Sequence, residues 1–237
     1  MFNPMDTIKQ IVSIPLFHGL SPEYLKDLSA IVIEQGVKRG QGIFSEGDEG
    51  KGFYVVISGR VKIFKLSLDG KEQILHIFGP GEPFGEVPVF AGSPYPANAE
   101  ALEKTRIFYF PREAFVDLIR KTPSLALNML AVLSHRLHRF TALVEDLSLK
   151  EVPGRLAAHL FYLSDKQKGN DDLALEITKV QLSSLLGTIP ETLSRILSKM
   201  TKEGIIATDT HGRIRIVDRR TLEKLAQGEI RLSQSNF

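Results

Sequence analysis

Ile189-Pro190-Glu191-Thr192-Leu193-Ser194-Arg195-Ile196-Leu197 is the stretch on which the reading of this chain turns. Leu193, Ile196, Leu197 and Met200 recur at helical spacing and form one apolar face, which leaves Glu191, Ser194 and Arg195 on a polar one. A helix from about Pro190 to Lys202 follows, with a proline at its first position and Gly204 to end it. Upstream, Thr178-Lys179-Val180-Gln181 has the spacing of a capping box, Leu182, Leu185 and Leu186 give a short apolar face, and Gly187 supplies a turn. Downstream, Ile205-Ile206-Ala207 and Ile214-Arg215-Ile216-Val217 flank Asp209-Thr210-His211-Gly212 as a β-hairpin. Helix, glycine turn, helix and wing make a winged helix-turn-helix, a fold that lays its second helix in a DNA major groove.

The polar face carries groups suited to that groove. The Arg195 fork can bond guanine O6 and N7, the Glu191 carboxylate can accept from cytosine N4, and the Ser194 hydroxyl can reach a base edge. Pro190 and Thr192 complete the expected DNA-binding set on this helix. Lys179, Lys199, Lys202, Arg213 and Arg215 are candidates for phosphate contact, and His211 in the wing turn is another. Net charge supports the placement: residues 1–147 carry −1 and residues 148–237 carry +3.

Working toward the N-terminus, Leu130, Leu133, Leu137, Phe140, Val144 and Leu147 keep a 3,4,3,4,3 spacing. Such a stripe holds one seam against a partner helix and predicts a dimer, unless it packs on its own β domain. Pro153 cannot continue a helix interior, so the hinge is expected at Leu149-Lys150-Glu151-Val152-Pro153. From about Gly36 to Phe110 the texture is short β runs between glycine turns, among them Phe53–Ile57, Val61–Phe64 and Ile74–Phe78, which predicts a barrel or jelly roll. Residues 8–33 have a helical pattern, with Ser21 as a cap candidate before Pro22.

With 43% hydrophobic and 24% charged residues, the 237-residue chain has ordinary globular composition, and its length favours two domains. The absence of cysteine excludes disulfides, thiolate metal sites, cysteine nucleophiles and cysteine-held iron–sulfur clusters. No membrane-spanning run or leader pattern is present, and a cytoplasmic location is expected. The expected class is α+β: a sensor β roll over 1–121, a long dimerisation helix over 122–149 and a winged helix-turn-helix domain over 150–237. No catalytic or metal-binding residues are expected; a cupin-like site of His76, Glu82 and Glu86 is the enzyme alternative.

Over roughly residues 14–220 the chain resembles the cAMP receptor protein and fumarate–nitrate reductase regulator (Crp/Fnr) superfamily. The residues that carry it are Gly47-Asp48, Phe53–Lys62, Gly79-Pro80-Gly81-Glu82-Pro83-Phe84-Gly85-Glu86, Gly92-Ser93-Pro94 and Ile189–Leu197. The resemblance implies a homodimeric transcription factor whose cyclic-nucleotide-binding-like roll senses an effector and whose long helix repositions the DNA-binding domains. Glu191, Ser194 and Arg195 match the Glu-x-x-Ser-Arg pattern of the fumarate–nitrate reductase regulator. That match implies palindromic operators with TTGAT-like or TTGTGA-like half-sites, the inner positions left open by Pro190, and RNA polymerase as a further partner.

The implied effector pocket comprises Gly85, Glu86, Tyr95, Pro96, Phe140 and Thr141. Relatives that bind cyclic nucleotides carry an arginine for the phosphate where this chain has Tyr95 and Pro96, so cAMP is not expected. The Gly85-Glu86 pair is expected to cap a barrel turn. Leu147–Leu156 and Tyr95-Pro96-Ala97 resemble the hybrid-cluster-protein regulators, related to the dissimilatory nitrate respiration regulators, and this implies nitric oxide sensing through haem. His135, His138 and His18 are the expected haem-ligand candidates. The alternative keeps the DNA-binding function with a different effector, or with a roll that only scaffolds. Activator and repressor remain equally open.

Overall fold

The computed structural model describes residues 4–209 and 213–232. Packing divides the chain into two compact units, Met1–Leu137 and His138–Phe237, each described by itself. Among the described residues no helix is long and apolar enough to cross a membrane.

The first unit opens with helix α1 (Pro4–Val12), a 3-10 turn (Pro15–Phe17) and helix α2 (Pro22–Ile31). The helical pattern expected over 8–33 is therefore interrupted, because Pro15 starts a separate tight turn and Gly19 adopts φ +78°. Ser21 stands at the N-cap of α2, but its hydroxyl makes no capping bond; Pro22 opens the helix instead. Strand texture also begins earlier than Gly36, with β1 at Ile33–Val37.

Strands β2 (Gly42–Phe44), β3 (Gly52–Ser58), β4 (Val61–Leu66), β5 (Glu72–Phe78) and β6 (Pro83–Phe84) follow. After the short helix α3 (Val87–Phe90) come β7 (Asn98–Ala101) and β8 (Thr105–Pro111). They form two four-stranded antiparallel sheets, ordered β1-β8-β3-β6 and β2-β7-β4-β5, the expected roll.

Strands β3 and β8 of the first sheet are packed on both faces. Side chains alternate across a strand. Phe53 and Val55 of β3, with Phe108 and Phe110 of β8, enter a core shared with the helices, whereas Val56 and Ile107 enter the core between the sheets. Phe53–Ile57 reads as an unbroken apolar run for that reason. Phe53 stacks on Phe110 at 5.0 Å and meets the edge of Phe115 at 4.6 Å. Phe115 belongs to helix α4 (Arg112–Lys121), which closes this layer.

Helix α5 spans Pro123–Leu149, about 40 Å at 1.5 Å per residue. Its first turns bury Leu125 and Met129 in the helix-facing core. Asn128 ties the same segment to the N-terminal turn, donating to the carbonyls of Leu16 at 3.0 Å and His18 at 3.1 Å. The division between the units falls inside α5, after Leu137.

In the second unit, helix α6 (Val152–Lys166) starts with Pro153 in its first turn, so the chain breaks where the proline predicted. Strand β9 (Asp172–Leu173) precedes helices α7 (Lys179–Leu185) and α8 (Pro190–Lys202). Strands β10 (Ile206–Thr208) and β11 (Ile214–Ile216) form the wing, and helix α9 (Arg219–Gln227) closes the unit. Strand β9 pairs with β11 and extends the wing to three strands. The core gathers Leu156, Leu160, Leu182, Leu193, Met200, Ile214 and Leu222.

The His159 ring on α6 lies 6.2 Å from the Tyr162 ring, and its Nε2 is shielded from solvent without a hydrogen-bond partner among the described residues. Burial pulls the imidazole down to about 4. The neutral ring is the folded form, so the unfolded chain protonates first as pH falls. Stability from this group is complete above about pH 6.5 and is lost toward pH 4, by roughly 1.4 kcal/mol per pH unit across that window. Urea denaturation of the wild type and of His159→Gln over pH 4–7 checks this; the variant is expected to lack this component of the decline.

Candidate nucleic-acid interface and effector site

The helix-turn-helix is built as its residues dictate. Thr178 caps α7 through a complete capping box: its Oγ1 accepts from Gln181 N at 3.2 Å, and Gln181 Oε1 accepts from Thr178 N at 2.9 Å. Gly187 turns the chain with φ +67°, and Thr188 N donates to Ser183 O at 2.9 Å. Leu193, Leu197 and Met200 of α8 are buried, with Ile196 packed beside them. Glu191, Ser194 and Arg195 are exposed on the opposite face, and Pro190 and Thr192 are half-buried at the helix start. Neither Glu191 nor Arg195 is tied up in an ion pair among the described residues.

The candidate phosphate contacts separate into three groups. Lys179, Lys202 and Arg213 are exposed, and Lys199 is half-buried. Arg215 departs from expectation: it pairs bidentately with Asp172 at 3.1 and 3.2 Å, so its charge is engaged across β9 and β11. His211 lies outside the described residues.

In the roll, Gly85 takes φ +71°, and a Cβ there would sit 3.0 Å from the Phe44 ring and 3.2 Å from that of Tyr95. Glu86 stands at the N-cap of α3, yet its side chain makes no capping bond. The expected capping role is therefore incorrect, and the physical reason is a stronger partner. The Glu86 carboxylate forms a buried ion pair with Arg136 of α5. Arg136 Nη2 also donates to Pro83 O at 2.6 Å, and the guanidinium lies 4.9 Å from the Phe78 ring centre. Its Nε is buried without a hydrogen-bond partner among the described residues. Sequence reasoning missed Arg136, since a lone arginine amid helix-surface residues carries no local signal; only the fold brings it to Glu86.

Tyr95 is buried, with its ring stacked on Phe44 at 3.7 Å and 9°. Its hydroxyl donates to Gly52 O at 3.1 Å, while its backbone bonds both ways with the Gly47-Asp48 turn. Tyr54 bonds to Tyr95, and burial pushes both phenols up. Pro96, expected in the pocket, is exposed; its carbonyl accepts from Lys65 at 3.0 Å. Phe140 and Thr141 belong to the second unit and are exposed on α5. His76 approaches Glu82 at 4.0 Å, but Glu86 faces Arg136, so the three do not converge as a metal site would require.

Haem needs an imidazole facing an apolar enclosure. His18, His135 and His138 are all exposed, and the volume around Gly85 is filled by the rings of Phe44, Tyr54, Phe84 and Tyr95. The residues inside the roll do not fit haem. Along α5, Leu130, Leu137 and Val144 are 59%, 69% and 63% exposed in the single chain, and Phe140 39%. Leu133 instead packs partly against the N-terminal core, and Leu147 is half-buried.

A β roll, a long helix and a winged helix-turn-helix with Glu191, Ser194 and Arg195 exposed on its second helix make up the architecture of a DNA-binding regulator class. Residues 34–122 match the cyclic nucleotide-binding domain, and residues 154–225 match the Crp-like helix-turn-helix domain. The cyclic AMP receptor protein of Thermus thermophilus is 35% identical over 215 residues, covering 90% of this chain and 97% of the relative. The fumarate and nitrate reduction regulatory protein of Escherichia coli K12 is 31% identical over 175 residues, 72% of this chain and 70% of that protein. The crystal structure of the Thermus thermophilus catabolite activator protein aligns with a TM-score of 0.52 at 33% identity, over 91% of this chain and 100% of that one. The chain belongs to the Crp/Fnr family of transcription regulators.

Removing one member of a buried ion pair leaves an uncompensated charge and costs about 3–5 kcal/mol. Arg136→Ala is expected to destabilise the first unit by that amount, and Glu86→Ala/Arg136→Ala by less than the sum of the two single changes. A double-mutant cycle in urea measures the coupling.

Proposed function

We propose that the chain is a homodimeric, sequence-specific DNA-binding regulator that reads an inverted repeat. The observation that carries this is the division of α8 into a buried face of Leu193, Leu197 and Met200 and an exposed face of Glu191, Ser194 and Arg195. Two copies join along the apolar stripe of α5, whose Leu130, Leu137 and Val144 recur every seven residues and stand open in one chain. The two recognition helices then face half-sites about one DNA turn apart. The Glu-x-x-Ser-Arg pattern supports TTGAT-like or TTGTGA-like half-sites, and RNA polymerase is the machinery that the bound dimer recruits or blocks.

Control is a population shift: an effector acts only by favouring one of two arrangements of the regulator over the other. The effector is not cAMP. A buried phosphate needs a charge-assisted donor, and the position that holds an arginine in cyclic-nucleotide-binding relatives is Tyr95, locked against Phe44. Arg136 does bring a cation into the roll, but Glu86 already neutralises it. Leu147–Leu156 and Tyr95-Pro96-Ala97 support kinship with the hybrid-cluster-protein and dissimilatory nitrate respiration regulators, and with it a nitric oxide signal. Haem would supply an iron that takes the gas. With the roll closed by its own rings, the donors open to it are His135 and His138 on α5, beside exposed Leu137.

Arg195→Ala is expected to weaken operator binding roughly 5- to 150-fold, the cost of one bidentate base contact of about 1–3 kcal/mol, with non-specific binding nearly unchanged. Fluorescence anisotropy on matched and scrambled duplexes reads both, and equal losses on the two would remove Arg195 from base recognition. Reconstitution with haem tests the nitric oxide reading: a Soret band that shifts with nitric oxide and is lost in His135→Ala/His138→Ala supports it, while added cAMP is expected to leave operator affinity unchanged. A chain that takes up no haem has a different input or a scaffolding roll.

A further inference from the structure

The two helices of the reading motif begin in opposite ways. Helix α7 has the full capping box of Thr178 and Gln181, whereas α8 begins at Ile189, an N-cap residue with no side-chain acceptor, followed by Pro190. Isoleucine is among the poorest N-caps, because it leaves the first helical N–H groups without a side-chain oxygen. Burial does not compensate for that choice. Ile189 is 49% exposed, while the neighbouring Leu186 and Leu193 are buried in the core of the unit. An apolar, uncapped and exposed residue thus stands two positions before Glu191, at the start of the helix that enters the groove. A residue that breaks a local rule with no gain in packing points to function.

We infer that Ile189 is a specificity-determining residue that reads the C5-methyl group of a thymine in the half-site. The inference rests on the DNA-binding reading above and deepens it. The thymine methyl is the apolar feature that base edges present in the major groove, so an apolar side chain there finds one kind of partner. It separates thymine from cytosine without a hydrogen bond. Arg195 and Glu191 are free to read a guanine and a cytosine of the same half-site. The lost cap is the local cost, since serine at this position would hold the helix start but offer the groove a hydroxyl in place of a methyl-matching surface.

The test uses the full-length chain and a single chemical change in the DNA. The operator is first selected from a randomised inverted-repeat library, and each thymine of the selected half-site is then replaced by deoxyuridine, which deletes only the methyl. For the wild type, one position is expected to lose about fourfold in affinity per half-site, the transfer free energy of one methyl-sized group. Ile189→Ser is expected to abolish that sensitivity, to retain the dependence on the base pairs read by Glu191 and Arg195, and to melt no lower than the wild type because the cap is restored. Ile189→Val is expected to keep the deoxyuridine effect. Uniform tolerance of deoxyuridine by the wild type, or an unchanged effect in Ile189→Ser, overturns the assignment while leaving DNA binding intact. A library that enriches no inverted repeat fells the regulator reading, and this inference with it.

Discussion

The first unit depends on one constraint: the pairing of β3 with β8 must satisfy two cores at once. Phe53, Val55 and Ile57 of β3 with Phe108 and Phe110 of β8 belong to the helix-facing core, and Tyr54 and Val56 of β3 with Ile107 of β8 to the interior of the roll. A slip of one residue would send Phe53, Val55, Phe108 and Phe110 into a space shaped for Val56 and Ile107. Antiparallel sheets commonly leave one face to water, where a misplaced side chain is tolerated. Here neither face allows it, and the register is specified from both sides. The layer of α1, α2 and α4 owes its place to the same pair, because Phe110 receives both Phe17 and Phe115.

That packing also closes the interior of the roll. Tyr54 leaves β3 on the interior face, meets Phe84 at 5.2 Å and bonds to Tyr95, which itself stacks on Phe44. The space beside Gly85 is thereby closed by rings rather than lined with anion-binding groups. The charges in this region are the paired Glu86 and Arg136, and pairing makes them a positioning device for α5 rather than an open binding site.

The second unit follows a different logic. Its core of leucines and isoleucines fixes the angle between α7 and α8, and the ion pairs of Arg215 with Asp172 and Arg219 with Asp171 brace the wing strands and α9. Glu191, Ser194 and Arg195 are exposed and have no such braces among the described residues. Braced and unbraced charges look alike in a sequence. In the fold they separate.

Local patterns determined much of this by themselves. The spacing of Leu193, Leu197 and Met200, the Thr178–Gln181 box, Gly187 and Gly204 decided the helix-turn-helix, because those signals act within one or two turns of chain. The β runs at Phe53–Ile57, Val61–Phe64 and Ile74–Phe78 were legible for the same reason, as was the break at Pro153. What only tertiary structure decided lies at long range. Arg136 meets Glu86 across fifty positions, Tyr95 fills the roll instead of lining it, Pro96 turns outward, Arg215 is taken by Asp172, and Leu133 packs partly on the N-terminal core. A residue type specifies the bonds a side chain can make; which partner it meets depends on how distant segments are brought together, and that comes from packing the whole chain.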